Sequence, residues 1–520
     1  MSQSSNQRTV FLASFLTIFA AGVGFAVRGA ILNDWGDQFG FTQTELGVII
    51  GAGLLAFGPV IIFASFFLDR FGYKPFLMLA FVLHLASAAL TLAATPVYAA
   101  AGENGKNATF WCLYFGMLLF SIGNGLCEAA VNPLVATLYP TRKTHYLNIL
   151  HASWPGGLIV GGLLAYCFCS GDAVIKQLRW EIPMGMFAIP VLAYGLMLMP
   201  KKLPQSEASS AGISTGEMLK QFASPILLLL LLIHAMVGYV ELGTDSWITN
   251  IMENVVKEKS ILLFVYTSAL MFGLRFVAGP IVERINPLGL LTVSGILGYV
   301  GLTMLSKADA VGSAFLAASV YALGKTFLWP TMLGVVGERF PRGGAIVMGT
   351  MGGVGMLSAG LLGGPIIGYE QDYFASNKLK DTAPESYTRY VSAQEGTPWF
   401  FLPPIAGIDG AKYGVLKNDG KDLDRDYKIV INAKEKPADA ASVEKLHGWW
   451  EQAKASADKD KEPVIGARIY GGRKALELTA YVPAGMAILY FLLVIYYRAT
   501  GGYKQEHLHK QVGEFGADEA

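Results

Sequence analysis

The 520-residue chain is 53% hydrophobic and only 15% charged, with a formal net charge of +1. Soluble domains carry roughly 25% charged residues, so this composition excludes a soluble globular protein. The near-neutral balance makes no electrostatic case for a nucleic-acid partner.

A helix needs about 20 apolar residues to cross a bilayer core, and lipid forces a spanning segment to satisfy its own backbone hydrogen bonds. Apolar runs of that kind, with a mean hydropathy of +0.43 over the chain, predict twelve spanning helices. Their expected positions are 9–32, 46–68, 75–99, 109–138, 146–169, 182–200, 224–249, 261–282, 288–306, 311–337, 344–369 and 476–498. The first run follows Arg8, is too long for the core of a signal peptide and precedes no small-residue cleavage site, so it is expected to stay in the mature protein. Short-loop Lys and Arg number about 14 on the side of the N-terminus and about 6 on the other, which predicts both termini in the cytoplasm. The four cysteines, Cys112, Cys127, Cys167 and Cys169, fall in or beside apolar runs and read as small core residues.

The polar stretch 201–223 reads as a cytoplasmic linker between an N-terminal six-helix bundle, 1–200, and a second bundle whose helices seven to eleven occupy 224–369. The halves echo one another. Asp69 and Arg70 close helix two and Glu283 and Arg284 close helix eight, while the fifth helix of each half is rich in glycine. Repeated halves with the binding site between them are a common transporter plan. Residues 370–475 break the pattern, because roughly a third of them are charged. They predict a small folded extracytoplasmic insert before helix twelve, 476–498, and a cytoplasmic tail, 499–520. Within the insert, 438–457 reads as a helix and Tyr427 to Asn432 as a strand. The insert is either a tolerated surface addition or a lid or docking site.

Ionisable groups inside a membrane cost at least about 2.5–3.5 kcal/mol on insertion scales, so they mark function unless paired. Here they are Arg28, His84, Glu128, His151, Glu241, Asp245, Arg275 and Lys325. Glu128 sits mid-helix four between Asn124 and Asn132. A carboxyl in low dielectric favours its neutral form and releases its proton when water enters, which is what a proton carrier requires; the alternative is a structural buried acid. Arg28 and Lys325 suit either an ion pair with Glu128 or an anionic group of a substrate. Glu241 is a second candidate for proton coupling. Arg275 reads as a helix-packing residue, and His84 as a satisfied core residue. His151, Trp154 and Trp329 complete the candidate lining, the tryptophans offering an apolar face to a sugar ring. There is no nucleotide-binding loop, no nucleophile triad and no metal-ligand spacing, so no enzyme activity, metal or cofactor is expected.

These residues resemble the major facilitator superfamily. Its loop after helix two is matched by Asp69, Arg70, Gly72 and Lys74. The resemblance implies two pseudo-symmetric six-helix bundles in an all-α membrane protein, with these residues gating the cytoplasmic side and Glu283 and Arg284 as the second-half copy. Glu128, Asn132 and Pro133, followed by Pro140, Arg142, Leu147 and Asn148, resemble the fucose permease-like sugar:proton symporters. That implies proton coupling at Glu128 and a paired role for Asn132. Where that branch has an acid in helix one, this chain has apolar Ala30, Ile31 and Leu32 with Arg28 one turn earlier, which suits an anion such as a sugar acid.

The expected function is proton-coupled symport of a small polar metabolite, such as a monosaccharide, by alternating access, in a bacterial inner membrane. The alternatives are transport of an organic anion, a uniporter or exporter on the same fold, or a membrane sensor or scaffold using the insert. The expected partners are a small-molecule substrate, protons and the lipid bilayer, without nucleic acid, and the chain is expected to act as a monomer.

Overall fold

The structure is a computed structural model that describes residues 3–39, 49–53, 55–169, 179–256, 260–392, 403, 405–432 and 440–508. Residues 46–48 of the expected second span and the tail beyond 508 lie outside the described residues. Helices make up nearly all of the described chain, and an isolated bridge between Val391 and Ile408 is the β pairing among them. Eleven described helices are long and apolar enough to cross a membrane, and a shorter apolar helix, Leu263–Arg275, lies between two of them in the chain.

In the first bundle the spanning helices are α1 (Gln3–Ala30), α2 (Ile49–Phe71), α3 (Tyr73–Leu92), α4 (Gly105–Leu138), α5 (Lys143–Cys169) and α6 (Glu181–Leu198). In the second, α7 consists of Pro225–Gly238, a π-turn at Tyr239–Gly243 and Thr244–Val256. Helix α8 runs Ser260–Arg275 and continues over 278–285 after two turn residues. Asn286, at φ 56°, then reverses the chain, and α9 occupies 287–306 behind Pro287. Proline suits that first helical position because its missing N–H would have no partner there. Helix α10 is Val311–Arg339, broken near Thr326. Helix α11 is Gly344–Ser358, a second π-turn at Ala359–Gly363, and Gly364–Thr382; α12 is Ala457–Ala499.

Within the first bundle α1 packs on α5 and α6, and α3 on α4; within the second, α9 packs on α10 and α12. The bundles meet where α2 lies along α11 and α5 along α8 and α10. No hydrophobic force drives helices together in lipid, so close backbone approach must supply the contact. Gly58, Gly349 and Gly353 supply it between α2 and α11. Large apolar side chains such as Phe63, Leu196, Leu316 and Ile488 are strongly exposed on the outside, a surface that suits lipid and not water.

The expected helix limits differ in one instructive place. Helices α11 and α12 run on through charged sequence to Thr382 and from Ala457, packing along each other beyond the apolar runs. Hydropathy marks where the bilayer ends, not where a helix ends. Between them, Pro384–Tyr390, Gly410–Lys417, Lys421–Asn432 and Ala440–Ala453 form short helices. They share cores of Leu379, Tyr390, Leu416 and Val464, and of Val415, Leu423, Trp450 and Ala453. Asp460, fully buried on α12, ties Pro384–Tyr390 down through Arg389 at 2.5 Å and Ser386 at 2.6 Å.

The strand expected at Tyr427 to Asn432 is instead the second half of the helix Lys421–Asn432. Its β-branched residues favour a strand, but Asp422 and Asp424 occupy the first helical turn, where carboxylates are stabilising. Leu423 and Val430, seven residues apart, are both buried, and the helix packs on Ala440–Ala453.

Candidate functional site

Two ends of the molecule can be distinguished, one carrying the first and last described residues and the 199–224 connection, the other carrying the described part of the insert. Glu128 lies ten residues from the terminal end of α4, a depth of about 15 Å at 1.5 Å per residue. Asn124, Glu128 and Asn132 recur every four residues and so share one helical face.

Glu128 is half-buried. Its carboxylate accepts a hydrogen bond from the Asn132 amide nitrogen at 2.8 Å, and that same nitrogen reaches the Glu128 carbonyl at 2.9 Å. This leaves the Asn132 oxygen facing α5, where it accepts from His151 Nε2 at 2.9 Å. The backbone carbonyl of His151 accepts from Arg275 of α8 at 2.5 Å. Arg275 therefore reaches across the seam between the bundles. Its remaining donors go to its own half: Glu241 Oε1 on the α7 π-turn at 3.0 Å and the Thr326 carbonyl in the α10 break at 2.8 Å. A chain of contacts thus runs from Glu128 through Asn132 and His151 to Arg275 and Glu241.

Beside it, Lys325 binds both oxygens of Asp245, four residues along α7 from Glu241, at 2.5 and 2.6 Å. The π-turn is held by Tyr321, whose hydroxyl donates to the Val240 carbonyl at 2.7 Å. A π-turn widens the helix by one residue and recurs at functional positions. Here it sets Glu241 toward Arg275, and it packs against the second π-turn in α11 where Gly243 meets Gly363.

Glu128, Asn132, His151, Glu241 and Lys325 are therefore brought together, with Asp245 and Arg275 as partners. The other sequence candidates lie elsewhere. Arg28 is fully buried inside the first bundle. It donates to the Gly24 carbonyl at 3.1 Å and to Ser87 at 2.8 Å, with Phe120 and Phe187 over its guanidinium at 4.1 and 4.7 Å. Asn124 accepts from His84 Nε2 at 3.0 Å, and His84 Nδ1 meets the Tyr194 hydroxyl at 2.9 Å. Trp154 lies at the α1–α5 contact beside Phe25. Trp329 lies against His234 with ring centroids 4.6 Å apart.

The terminal end is fastened across the bundles. Asp69 Oδ2 accepts from the Ala345 N–H at the start of α11 at 3.1 Å, where a helix N-terminus favours negative charge. Gly344 precedes it at φ 53°, and a Cβ there would lie 2.7 Å from that oxygen; glycine meets both demands. Lys143 binds Glu207 in the connecting segment at 2.5 Å and the Gly337 carbonyl at 2.9 Å. Glu338 of α10 accepts from the Thr144 hydroxyl at 2.6 Å and from Tyr503 at 2.8 Å. Asn148 donates to Thr331 at 3.0 Å, and Arg142 pairs with Glu283 at 3.1 Å between exposed side chains. Gln505 reaches back to the Pro140 carbonyl. Of the other loop residues, Lys74 donates to the Met199 and Lys201 carbonyls at the start of the connection and Arg70 lies over Phe71. Gly72 adopts φ 74°, and Arg284 neighbours Glu283 on the continuation of α8.

Sequence reasoning missed the role of Arg275 and passed over Glu338 and His234. Arg275 was legible as an intramembrane charge but not as a link between bundles, since that depends on which helices face each other. Glu338 looks like an ordinary charge at a helix end. His234 interrupts a run of leucines in α7, a signal that was there to be read.

The family model of the Major Facilitator Superfamily matches residues 10–364, and the chain belongs to that superfamily of membrane transporters. The fold is similar to that of the transporter FucP in its outward conformation, with a TM-score of 0.55 and 16% identity over 70% of this chain and 92% of that one. It is likewise similar to the proton:xylose symporter XylE bound to 6-bromo-6-deoxy-D-glucose, with a TM-score of 0.59 and 14% identity over 72% and 90%. A bacterial homologue of the human lysosomal transporter Spinster, inward-facing, aligns with a TM-score of 0.58 and 15% identity over 95% and 97%. Among curated proteins, the multidrug resistance protein MdtH of Shigella dysenteriae is 25% identical over 165 residues, 32% of this chain. The chain spans only 37% of that relative's length in the match.

Proposed function

We propose that this chain is a proton-coupled symporter of a small neutral polar metabolite of the monosaccharide class, working by alternating access. The observation that carries the reading is the half-buried Glu128 carboxyl, held by Asn132 and linked through His151 to Arg275 on the opposite bundle. A carboxyl so placed exchanges a proton with the cargo path while its partners register the relative position of the bundles.

The balance of charge favours a neutral cargo. Glu128, Glu241 and Asp245 are the acids of the cluster; Arg275 and Lys325 are its bases, and each base is already paired with a carboxylate. One proton on Glu128 brings the set to neutrality, so an uncharged cargo travelling with a proton leaves no charge uncompensated in low dielectric. An organic anion would have to displace Glu241 or Asp245 from its cation, and Arg28, enclosed in the first bundle, is not placed to receive it. The fastenings at the terminal end support a state closed toward the cytoplasm. On this reading the termini and the 201–223 linker are cytoplasmic, the 370–475 insert lies outside, and the host is the bacterial inner membrane.

The test is uptake into proteoliposomes. With an inward proton gradient, D-xylose or D-galactose should accumulate above equilibrium, and D-galacturonate should not. Accumulation of the sugar acid alone would replace this cargo class with an anionic one, and gradient-independent equilibration would replace symport with uniport.

A further inference from the structure

We infer that His234, paired with Trp329, is a cargo-binding residue of the second bundle, selecting a ring that offers hydroxyl groups on its edge and an apolar face. The inference rests on the transport reading above.

His234 is fully buried in α7 amid leucine, and neither of its ring nitrogens has a hydrogen-bond partner. A neutral imidazole carries one N–H donor and one lone pair, and buried groups of this kind are nearly always paired in folded proteins. A leucine or phenylalanine would fill the same space without that cost. Its neighbours are arranged around it. The Trp329 ring from α10 lies tilted against it at 4.6 Å. Gly355 of α11 admits both, since a Cβ there would come within 2.6 Å of the Trp329 ring and 3.0 Å of His234 Cδ2. Three helices therefore converge on an imidazole that the protein itself leaves unsatisfied.

The position also matters. His234 meets Trp329 of α10, α10 packs on α5, and His151 of α5 holds Asn132 and, through it, Glu128. The second bundle thus contributes an aromatic face and an imidazole, and the first bundle an amide and a carboxyl held by His151. That combination recognises a polyhydroxylated ring: the indole covers its apolar face and the polar groups take its hydroxyls. In the present conformation the His234 nitrogens are sealed from solvent; in the inferred role, the cargo supplies the missing partners.

The test uses the full chain in lipid nanodiscs. D-xylose, D-galactose and myo-inositol serve as probes and D-galacturonate as the anionic control, read by tryptophan fluorescence titration and by thermal unfolding without sugar. The wild type should give a saturable response to at least one neutral probe. His234→Phe should raise its Kd about tenfold or more, the worth of one good hydrogen bond, with a sugar-free melting temperature equal to or above that of the wild type. His234→Gln, which keeps a donor and an acceptor, should recover binding to within about threefold. Unchanged affinity in His234→Phe overturns the inference alone. So does a lowered melting temperature in both variants, which marks a packing residue. A wild type that answers to no neutral probe overturns the cargo class and this inference together.

Discussion

Arg28 and Arg275 are both arginines sunk in apolar helices and almost wholly removed from solvent, yet their surroundings differ in kind. Arg28 is held within one bundle by Ser87, a backbone carbonyl and two phenyl faces. Arg275 is bonded to both bundles, with Glu241 and Thr326 on its own side and His151 on the other. Rocking of the bundles leaves every contact of Arg28 intact, whereas it must break or remake the bond from Arg275 to His151. A buried charge confined to one rigid body stiffens it; a buried charge shared between two reports on their relative position.

The sharpest way to break this comparison is to remove each arginine in turn. Arg275→Met leaves the Glu241 carboxylate buried without its cation, and losing one partner of a buried pair costs about 3–5 kcal/mol. Thermal unfolding should register that loss. Arg275→Met/Glu241→Met should regain most of the stability while remaining inactive in transport. A double variant with normal transport would return Arg275 to a packing role.

Arg28→Met should cost less, about 1–2 kcal/mol, because the lost cation–π contacts and hydrogen bonds are offset by removal of a buried charge. Its uptake rate should stay within a few-fold of the wild type. Abolished transport in a well-folded Arg28→Met protein would place Arg28 in the cargo path after all.

A smaller effect belongs to the terminal fastening. Asp69→Asn removes a charge from the start of α11, where such charges contribute about 0.3–1 kcal/mol and up to about 2 when partly buried. Opening toward the terminal end should become up to about tenfold more frequent, visible as faster maleimide labelling of a cysteine placed at Thr137. Unchanged labelling would assign the closure to Lys143, Glu338 and the tail segment instead. The least effect on transport is expected from replacing 384–453 by a short linker between the α11 and α12 extensions. One core of the insert, Val415, Leu423, Trp450 and Ala453, leaves with the replaced segment, and the other is shared only with the α11 and α12 extensions, so flux should persist within roughly twofold, as surface segments generally tolerate change. Lost flux with normal folding would make the insert part of the gate.

What could be read from the sequence follows from what lipid demands. Spanning helices must be long, apolar and continuous, so their positions along the chain are legible, and so are the charges that violate the rule. Helix length beyond the bilayer is not legible, as α11 and α12 show by continuing into charged sequence. The residues around Tyr427 were misread because their β-branched side chains outweighed the burial of Leu423 and Val430 on one helical face. Glu128 and Asn132 were recognisable four residues apart on one helix. The role of Arg275 was not, because the carbonyl it binds belongs to a residue 124 positions away. His234 could have been noticed as the polar member of an apolar run, but its missing partners emerge only once its neighbours are in place.

The most direct test of the central claim measures protons and sugar together in proteoliposomes, comparing wild type with Glu128→Gln. The account predicts that internal acidification accompanies uptake of a neutral sugar in the wild type. In Glu128→Gln both the acidification and the accumulation should vanish, while sugar-for-sugar exchange continues. Gradient-driven accumulation at the wild-type level in Glu128→Gln, still accompanied by acidification, would contradict it.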